Sequence, residues 1–252
     1  MTPHHTATII YKISAPKLVI LVPEFEFCGN FYFITTFIEG ESLDKISENL
    51  TSDEWQIISH NLMKRLDELS TIHAPQYSEH NKFVTDGCAA ILKSKLLNRL
   101  NHSLFNEYSQ KELDKAIKRC YQILDESHFT KPTLLHMDVK PANIIYNSKT
   151  GFVTLIDFEF ARFGDADYGW TQVLLSGINA FCDEYKQQVV SYMTKGRLTL
   201  NEALTIPKFQ CYIFYQTACN LIYYYDRDMK CPEDMKDLFE ELLKQLSKEC
   251  RL

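Results

Sequence analysis

The chain has 252 residues, of which 45% are apolar and 24% charged, and its formal net charge is −6. This composition is typical of a globular protein with one large domain or two unequal lobes, long enough to bury a core without disulfides. The acidic balance excludes general nucleic-acid binding, which needs a basic face that displaces counterions. The longest apolar run near the start, residues 18–22, is too short to span a bilayer, so we expect no membrane association.

The cysteine pattern predicts free thiols. None of the cysteines lies in a C-x-x-C pair or has zinc-finger spacing to a histidine, and no signal-peptide pattern precedes them. We therefore expect free, mostly buried thiols in a reducing compartment and a cytoplasmic protein. The cysteines are Cys28, Cys88, Cys120, Cys182, Cys211, Cys219, Cys231 and Cys250.

The first forty residues are strand-like. β-Branched and aliphatic runs occupy residues 8–11 and 18–22, and a third run covers residues 31–38. The third run follows the turn pair at residues 29–30 and ends at Gly40. These features predict three short strands.

Helical periodicity dominates the rest of the chain. Apolar residues three and four apart, after a polar cap at Ser52 with Glu54 behind it, predict an amphipathic helix over residues 52–72. Further helices are predicted at residues 84–104, 112–124, 170–193, 207–225 and 232–249.

The pattern is interrupted at residues 133–135, which form a predicted strand leading into a polar loop. Two apolar runs follow, residues 144–146 and 152–158, separated by a turn that contains Gly151. This arrangement predicts a β-hairpin set among helices. The order of elements indicates an α+β fold, with a small strand-rich portion followed by a helical lobe.

Three polar residues around this hairpin suit phosphoryl transfer. Asp138 lies at the start of the polar loop, Asn143 where the loop enters the first strand, and Asp157 at the end of the second strand. The hairpin returns Asp157 to the side of Asn143. Phosphoryl transfer needs a carboxylate that accepts the proton of the attacking hydroxyl, and hard oxygen ligands that hold magnesium on the nucleotide phosphates. The spacing therefore predicts a magnesium-dependent phosphotransferase site.

Residues 136–145 resemble the catalytic loop of the protein-kinase-like fold. Residues 155–159 look like the magnesium-binding motif of the aminoglycoside phosphotransferase and choline kinase family, which lacks the glycine that protein kinases have at position 159. The Gly-Asp-Ala at residues 164–166 is similar to the Gly-Asp-Pro of that family, and residues 33–43 resemble its strand-hinge-helix segment. The resemblance covers about residues 15–225.

The resemblance implies specific roles for the loop residues. Asp138 would be the catalytic base, Asn143 and Asp157 the magnesium ligands, and His136 would hold the loop by hydrogen bonds. ATP and Mg2+ are the implied cofactors. Lys140 matches a protein-kinase lysine that reaches the transferred phosphate, but many small-molecule kinases lack it, so a solvated loop lysine is the alternative.

The resemblance also implies a hinge. The backbone of Thr36, Phe37 and Ile38 would contact adenine. Residues 1–40 would then be a remnant of the N-terminal lobe with the hinge, and residues 41–252 the helical catalytic lobe.

Two departures from the family pattern qualify these expectations. No glycine precedes Gly29, so no glycine-rich phosphate loop is expected, and residues before Pro16 leave no room for the usual lysine strand and its partner helix. Lys12 could replace that lysine, or be an edge lysine. Gly169 occupies a position where the family usually has Asp, which leaves the packing there open.

The favoured function is ATP-dependent phosphorylation of a hydroxyl on an aminoglycoside, choline or ethanolamine, a similar amino-alcohol or a sugar. A degenerate kinase-fold scaffold without catalysis is the alternative, because the phosphate-covering hairpin is not found. A protein kinase is disfavoured by Phe158-Glu159 and by the lack of an activation segment after Arg162. The acceptor could be cationic if the acids at residues 183–184, or at positions 226 and 228, face it. The alternative is that they are solvated helix ends.

Overall fold

A computed structural model describes residues 18–22, 32–79, 82–176 and 183–248. Strand β1 (Leu18–Val22) pairs antiparallel with β2 (Tyr32–Thr35), with Leu21 opposite Phe33. Both strands were predicted, but β2 is shorter than expected: residues 36–39 continue without a ladder partner. The predicted strand at residues 8–11 lies outside the described residues.

A three-stranded sheet joins the segment after β2 to the predicted hairpin. Strand β3 (Glu41–Ser42) pairs with β7 (Ile144–Asn147), which pairs with β8 (Phe152–Leu155). Gly40 precedes β3 with a φ of 133°, and a Cβ atom built there would lie 2.5 Å from the carbonyl oxygen of Tyr146. Only glycine allows this backbone conformation and this approach.

Helices make up most of the remaining chain. Helix α2 is capped by Thr51 rather than by the predicted Ser52. The Glu54 N–H donates to the Thr51 hydroxyl at 3.3 Å, and the Thr51 N–H donates to the Glu54 carboxylate at 2.8 Å. The helices are α1 (Leu43–Ile46), α2 (Ser52–Ser70), α3 (Cys88–Leu100), α4 (Gln110–Glu126), α5 (Ala166–Ser176), α6 (Asp183–Thr194), α7 (Leu200–Ala203), α8 (Pro207–Tyr225) and α9 (Glu233–Ser247).

Helix α8 lies at the centre of the helical part. It is apolar on nearly all sides and packs against α3, α4, α5 and α9, as a fully surrounded helix does. The rings of Phe214 and Phe239 stack there with centroids 5.0 Å apart. Helix α2 buries its predicted apolar face, including Ile58 and Leu62, against β8 and α6.

Two helix predictions need correction. The single helix predicted over residues 170–193 is wrong, because α5 and α6 are separate helices that pack against each other. Helix α3 begins at Cys88 instead of residue 84, because the preceding residues form a small ladder of β4 (Ser78–Glu79) with β5 (Lys82–Phe83).

Strand β6 (Thr133–Leu135), which was predicted, pairs antiparallel with β9 (Arg162–Gly164), which was not. Leu135 lies opposite Arg162. A Cβ atom at Gly164 or at Gly169 would lie 2.6 Å from a methyl carbon of Leu135. The packing that the sequence left open at Gly169 is therefore a close contact with Leu135, whose side chain would have to move to admit a Cβ.

A buried carboxylate connects this strand pair to the helices. The Asp165 side chain is fully buried and accepts hydrogen bonds from the Thr130 backbone N–H at 3.0 Å and from the Thr130 hydroxyl at 2.7 Å. The Tyr212 hydroxyl also donates to it, and Lys208 Nζ lies 2.8 Å away. Although burial opposes it, the Asp165 carboxylate raises the pKa of Lys208, so Lys208 stays protonated.

The cysteines of the described residues are free thiols, as predicted: Cys88, Cys120, Cys211, Cys219 and Cys231. Cys28, Cys182 and Cys250 lie outside those residues. Among the helices in the described ranges, none is both long and apolar enough to cross a bilayer.

We expect Gly40→Ala to lower the free energy of unfolding by ~1–3 kcal/mol, because the substitution forces a positive φ on a residue with a Cβ and pushes that atom into the Tyr146 carbonyl. Urea unfolding measures the change. Gly87→Ala is the matched control, since a Cβ there meets nothing within 4 Å. Equal losses in the two variants would contradict the close approach of β3 to β7.

Candidate active site

The loop after β6 holds the Asp138 carboxylate between two donors. Lys140 Nζ lies 2.7 Å from Asp138 Oδ2, and Asn143 Nδ2 donates to the same oxygen at 2.8 Å. Asn143 Nδ2 also donates to the backbone carbonyl of Asp138 at 2.9 Å. The Asp138 side chain keeps 22% of its surface exposed, so it is both fixed and accessible.

Asn143 and Asp157 meet at the same end of the hairpin, as the sequence predicted. The Ile156 N–H donates to the Asn143 carbonyl at 3.0 Å, which brings the end of β8 beside the start of β7. Asn143 is 5% exposed, and its two N–H groups are engaged by Asp138, which turns its side-chain oxygen away from that carboxylate. The Asp157 carboxylate is exposed and, within the described residues, makes no hydrogen bond or ion pair.

His136 connects the loop to the second strand of the hairpin. Its Nδ1 accepts from the Asp138 N–H at 3.3 Å, so Nε2 carries the proton and donates to the Ile156 carbonyl at 2.9 Å. The His136 ring lies 4.5 Å from the Phe158 ring, centroid to centroid. Burial lowers the pKa of His136, which favours the neutral ring that both hydrogen bonds require.

The loop backbone adopts two uncommon conformations. Met137 has a φ of 67° and Asp157 a φ of 62°, values that residues with a Cβ rarely adopt. Each costs ~1–2 kcal/mol and persists only where the surroundings impose it. Val139, which is fully buried between Asp138 and Lys140, anchors the loop. One outlier directly precedes Asp138, and the other is Asp157 itself.

The predicted hinge lies against the outer face of the hairpin. Phe37 is 87% exposed and Ile38 is half-buried. Together with the exposed Phe152 and the buried Thr154 of β8, they line a cavity of about 350 Å3. The structure therefore brings the hinge and the hairpin together, but the adenine contacts of Thr36, Phe37 and Ile38 stay predictions.

Two hinge contacts were missed at the sequence level. The Ser42 hydroxyl, which contacts the Asp44 carboxylate, also lies 3.3 Å from the Ala142 carbonyl, so β3 lies against the loop that carries Asp138. Ile145 Cγ2 lies 3.0 Å from the position of a Cβ at Gly40. The period-two alternation of Ile144 and Ile145, the first buried and the second half-buried, is the signal that could have shown which of them faces the hinge.

The structure describes the side chains of two of the four acids that could attract a cationic acceptor. Asp226 and Asp228 are exposed at the C-terminal end of α8, where Asp226 Oδ1 lies 3.2 Å from His102 Nε2. The side chains of Asp183 and Glu184, at the start of α6, are not described, and Lys12 lies outside the described residues. Among the described residues, no group of three or more His, Cys, Asp or Glu side chains is arranged to hold a metal ion.

Comparison with known proteins places these features in context. The model of a family described as phosphotransferase enzymes matches residues 5–193. A comparison with curated proteins gave no significant match.

Solved structures share the fold. The GDP complex of aminoglycoside 2'-phosphotransferase-IIIa matches with a TM-score of 0.61 and 16% identity, covering 96% of this chain and 79% of that one. A thermostable mutant of aminoglycoside phosphotransferase APH(4)-Ia, bound to AMP-PNP and hygromycin B, gives 0.64 and 13%, covering 96% and 81%. ADP-bound APH(2'')-Ib gives 0.54 and 19%, covering 97% and 80%. At these identities the likeness shows an α+β, protein-kinase-like fold, as the sequence predicted.

The buried His136 predicts a pH-dependent stability. The pKa of His136 in the folded protein lies below the ordinary value of 6.5. At pH values below 6.5, the unfolded chain therefore binds more protons at this residue than the folded chain does. The stability that the neutral ring supplies is complete above 6.5 and declines as the pH falls toward the lowered pKa, by up to ~1.4 kcal/mol per pH unit.

Urea unfolding at pH 7.5 and 5.5 tests this. His136→Gln keeps a donor for Ile156 but cannot titrate in this range, so we expect a smaller loss between the two pH values in the variant than in the wild type. Contributions that the two proteins share cancel in the comparison. An equal loss in both would contradict a buried neutral His136.

Proposed function

This chain belongs to the phosphotransferase enzyme family, and we propose that it transfers the γ-phosphoryl group of ATP to a hydroxyl group of a small molecule. The observation that carries the proposal is the meeting of Asp138, Asn143 and Asp157 at one end of the β7–β8 hairpin. In phosphoryl transfer, positioning and charge neutralisation supply nearly all of the catalysis, so a fixed carboxylate beside two oxygen ligands is the essential arrangement.

Asp138 is proposed as the base. Lys140 and Asn143 both contact its Oδ2, so within the described residues Oδ1 is left for the acceptor hydroxyl. As the acceptor oxygen forms its bond to the γ-phosphorus, the bond from that phosphorus to the β–γ bridging oxygen breaks, ADP leaves, and the hydroxyl proton passes to Asp138.

Asn143 and Asp157 suit magnesium. Their side chains offer one neutral and one charged oxygen, and Mg2+ in such sites takes one or two protein ligands beside substrate phosphates. The carbonyl oxygen of Asn143 is turned away from Asp138, and the Asp157 carboxylate is exposed and unpaired within the described residues, so both oxygens are available. When bound, the metal neutralises charge on the phosphates.

The hinge is proposed to hold the adenine. The related structures were solved with GDP, ADP or AMP-PNP, which supports a nucleotide site in this chain. The half-buried Ile145, which faces the hinge from β7, would supply an apolar floor beneath the base. Aminoglycosides such as kanamycin and hygromycin B appear in the related complexes, which supports a small-molecule acceptor.

Lys140 is proposed to contact the transferred phosphate. In the structure its ammonium group rests on Asp138, and this hydrogen bond raises the pKa of Lys140, so it is a permanent cation beside the base. The side chain is 46% exposed, so it is free to turn from the carboxylate to a phosphate that carries more negative charge.

Two substitutions separate the roles of the carboxylates. We expect Asp157→Ala to weaken magnesium-dependent ATP binding at least tenfold, because a charged ligand is lost, as measured by calorimetric titration. We expect Asp138→Asn to bind Mg·ATP nearly as the wild type does but to lose turnover by at least a hundredfold, because the amide cannot accept the proton.

Asp86→Asn, an exposed position on the loop before α3, is the matched control for both. Turnover is measured as acceptor-dependent ADP release. If Asp138→Asn turns over at the wild-type rate, the assignment of Asp138 as the base is refuted. Magnesium-dependent ATP binding without turnover on any acceptor, in the wild type, would favour the non-catalytic scaffold.

Lys140→Met tests the lysine. We expect kcat to fall roughly tenfold or more with little change in ATP affinity, because the cation acts on charge that develops during transfer. Lys149→Met, an exposed lysine on the hairpin turn, is the control. An unchanged kcat would identify Lys140 as a solvated loop residue.

A further inference from the structure

A groove of about 520 Å3 lies beside the predicted hinge and outside the candidate active site. Its walls come from the residues after β2, from α1 and the turn that follows it, from the start of α2, and from the turn of the β7–β8 hairpin. It shares Phe37, Glu39 and Asn147 with the smaller cavity against β8, but neither the proposed base nor the proposed metal ligands line it. Binding sites are typically concavities of roughly 300–1,000 Å3, so the groove is large enough to hold side chains of a partner.

Apolar side chains form one part of the lining. Phe37 is 87% exposed, Ile46 and Leu50 are half-buried, and Tyr146 is buried. Single exposed apolar residues are common on protein surfaces, whereas apolar residues grouped around a concavity are typical of a binding surface. The Phe37 ring is the one that would lose most contact with water if a partner covered the groove.

Carboxylates form the other part of the lining. Glu39, Glu41 and Glu54 line the groove, and Lys149 is the one cation among its described lining residues. Residues 39–54 contain six acids and one lysine, a net charge of −5, while the whole chain has a net charge of −6. Nearly all of the excess negative charge of the chain therefore belongs to the segment that forms one side of the groove, which attracts cationic partners.

Two of the three lining carboxylates are available to a partner. Glu39 and Glu41 are exposed and make no hydrogen bond or ion pair within the described residues. Glu54 is engaged at the start of α2, where its carboxylate accepts from the Thr51 N–H and from the Thr51 hydroxyl, both at 2.8 Å. Glu39 and Glu41 can therefore pair with cations, and the fixed Glu54 adds its charge to the field in the groove.

The neighbouring sheet edge favours an extended peptide as the ligand. Strand β3 lies at the edge of the three-stranded sheet, and within the described residues its outer side has no ladder partner. A free edge can accept an added strand through backbone hydrogen bonds, while alternate side chains of that strand enter adjacent pockets. Glu41 of β3 is itself a lining residue, so a strand added at this edge would lie beside the groove.

We propose that this groove is a docking site for an extended segment of a partner protein that carries basic side chains next to apolar ones. The basic side chains pair with Glu39 and Glu41, and the apolar ones cover Phe37. An acidic segment would meet repulsion in the groove, and a nucleic acid is disfavoured for the same reason. The proposal does not depend on phosphoryl transfer, because the groove lies outside the catalytic residues.

Peptide binding to the full chain tests the proposal. An array of decapeptides fixes two adjacent arginines and two leucines at alternate positions and varies the rest, and each peptide has a counterpart with glutamates in place of the arginines. The strongest binder and its counterpart are then labelled with fluorescein and titrated by fluorescence polarisation. We expect saturable binding of the basic peptide, at least tenfold tighter than that of its acidic counterpart. If no basic peptide binds more tightly than its counterpart, the proposal is overturned.

Charge reversal then locates the binding surface. We expect Glu41→Lys to weaken binding of the basic peptide roughly tenfold or more and to strengthen binding of the acidic counterpart, because the sign of the contact is reversed. Phe37→Ser should weaken binding of the basic peptide by a similar factor, since it removes the exposed ring. The matched control is Glu126→Lys, an exposed acid at the end of α4, which changes the net charge equally and should bind both peptides as the wild type does.

Melting temperatures verify that each variant folds, and Glu41→Lys carries the test if Phe37→Ser does not fold. Equal affinities of the Glu41→Lys and Glu126→Lys variants for the basic peptide would overturn the proposal. So would peptide binding that Mg·AMP-PNP abolishes and Glu41→Lys leaves unchanged, because the peptide would then occupy the nucleotide cleft. Self-association in sedimentation that Glu41→Lys abolishes, without competition by the basic peptide, would identify a second copy of the chain as the occupant and also overturn it.

Discussion

The buried carboxylate of Asp165 is the interaction on which the rest of the structure depends. A carboxylate cannot remain ionised in an apolar interior without partners, and Asp165 draws them from two other parts of the chain, Thr130 before β6 and both Lys208 and Tyr212 on α8. Removing one partner of such a buried pair typically costs ~3–5 kcal/mol. The β6–β9 strand pair is therefore fixed relative to α8 before any ligand binds.

The β6–β9 strand pair positions the loop that carries Asp138. Strand β6 leads directly into the loop with Asp138, and β9 begins five residues after Asp157 and carries Arg162. The loop is then fastened to the hairpin by the His136 and Asn143 hydrogen bonds. Rigid strands and a central apolar helix thus hold two backbone conformations that isolated residues would not keep, which is how folded proteins preorganise reactive groups.

The sequence predicts the parts of the fold and of the candidate site whose local pattern is compatible with only one structure. The hairpin with Asn143 and Asp157, the helix Pro207–Tyr225 and the kinase-like fold are of this kind. Strand β9 was missed because three residues, one of them glycine, give no periodicity and depend on a partner thirty residues away. The split between α5 and α6 depends on tertiary packing that helical spacing alone does not encode.

The two N–H groups of Asn143 have a consequence for how the site can evolve. Both are engaged with Asp138, so an aspartate at position 143, reached by one base change, would set two carboxylates about as close as the present 2.8 Å contact. Two carboxylates this close oppose each other's ionisation, so the pair would bind a proton more readily than either carboxylate alone. Position 143 therefore favours asparagine, whose amide donates to Asp138 where a carboxylate would repel it.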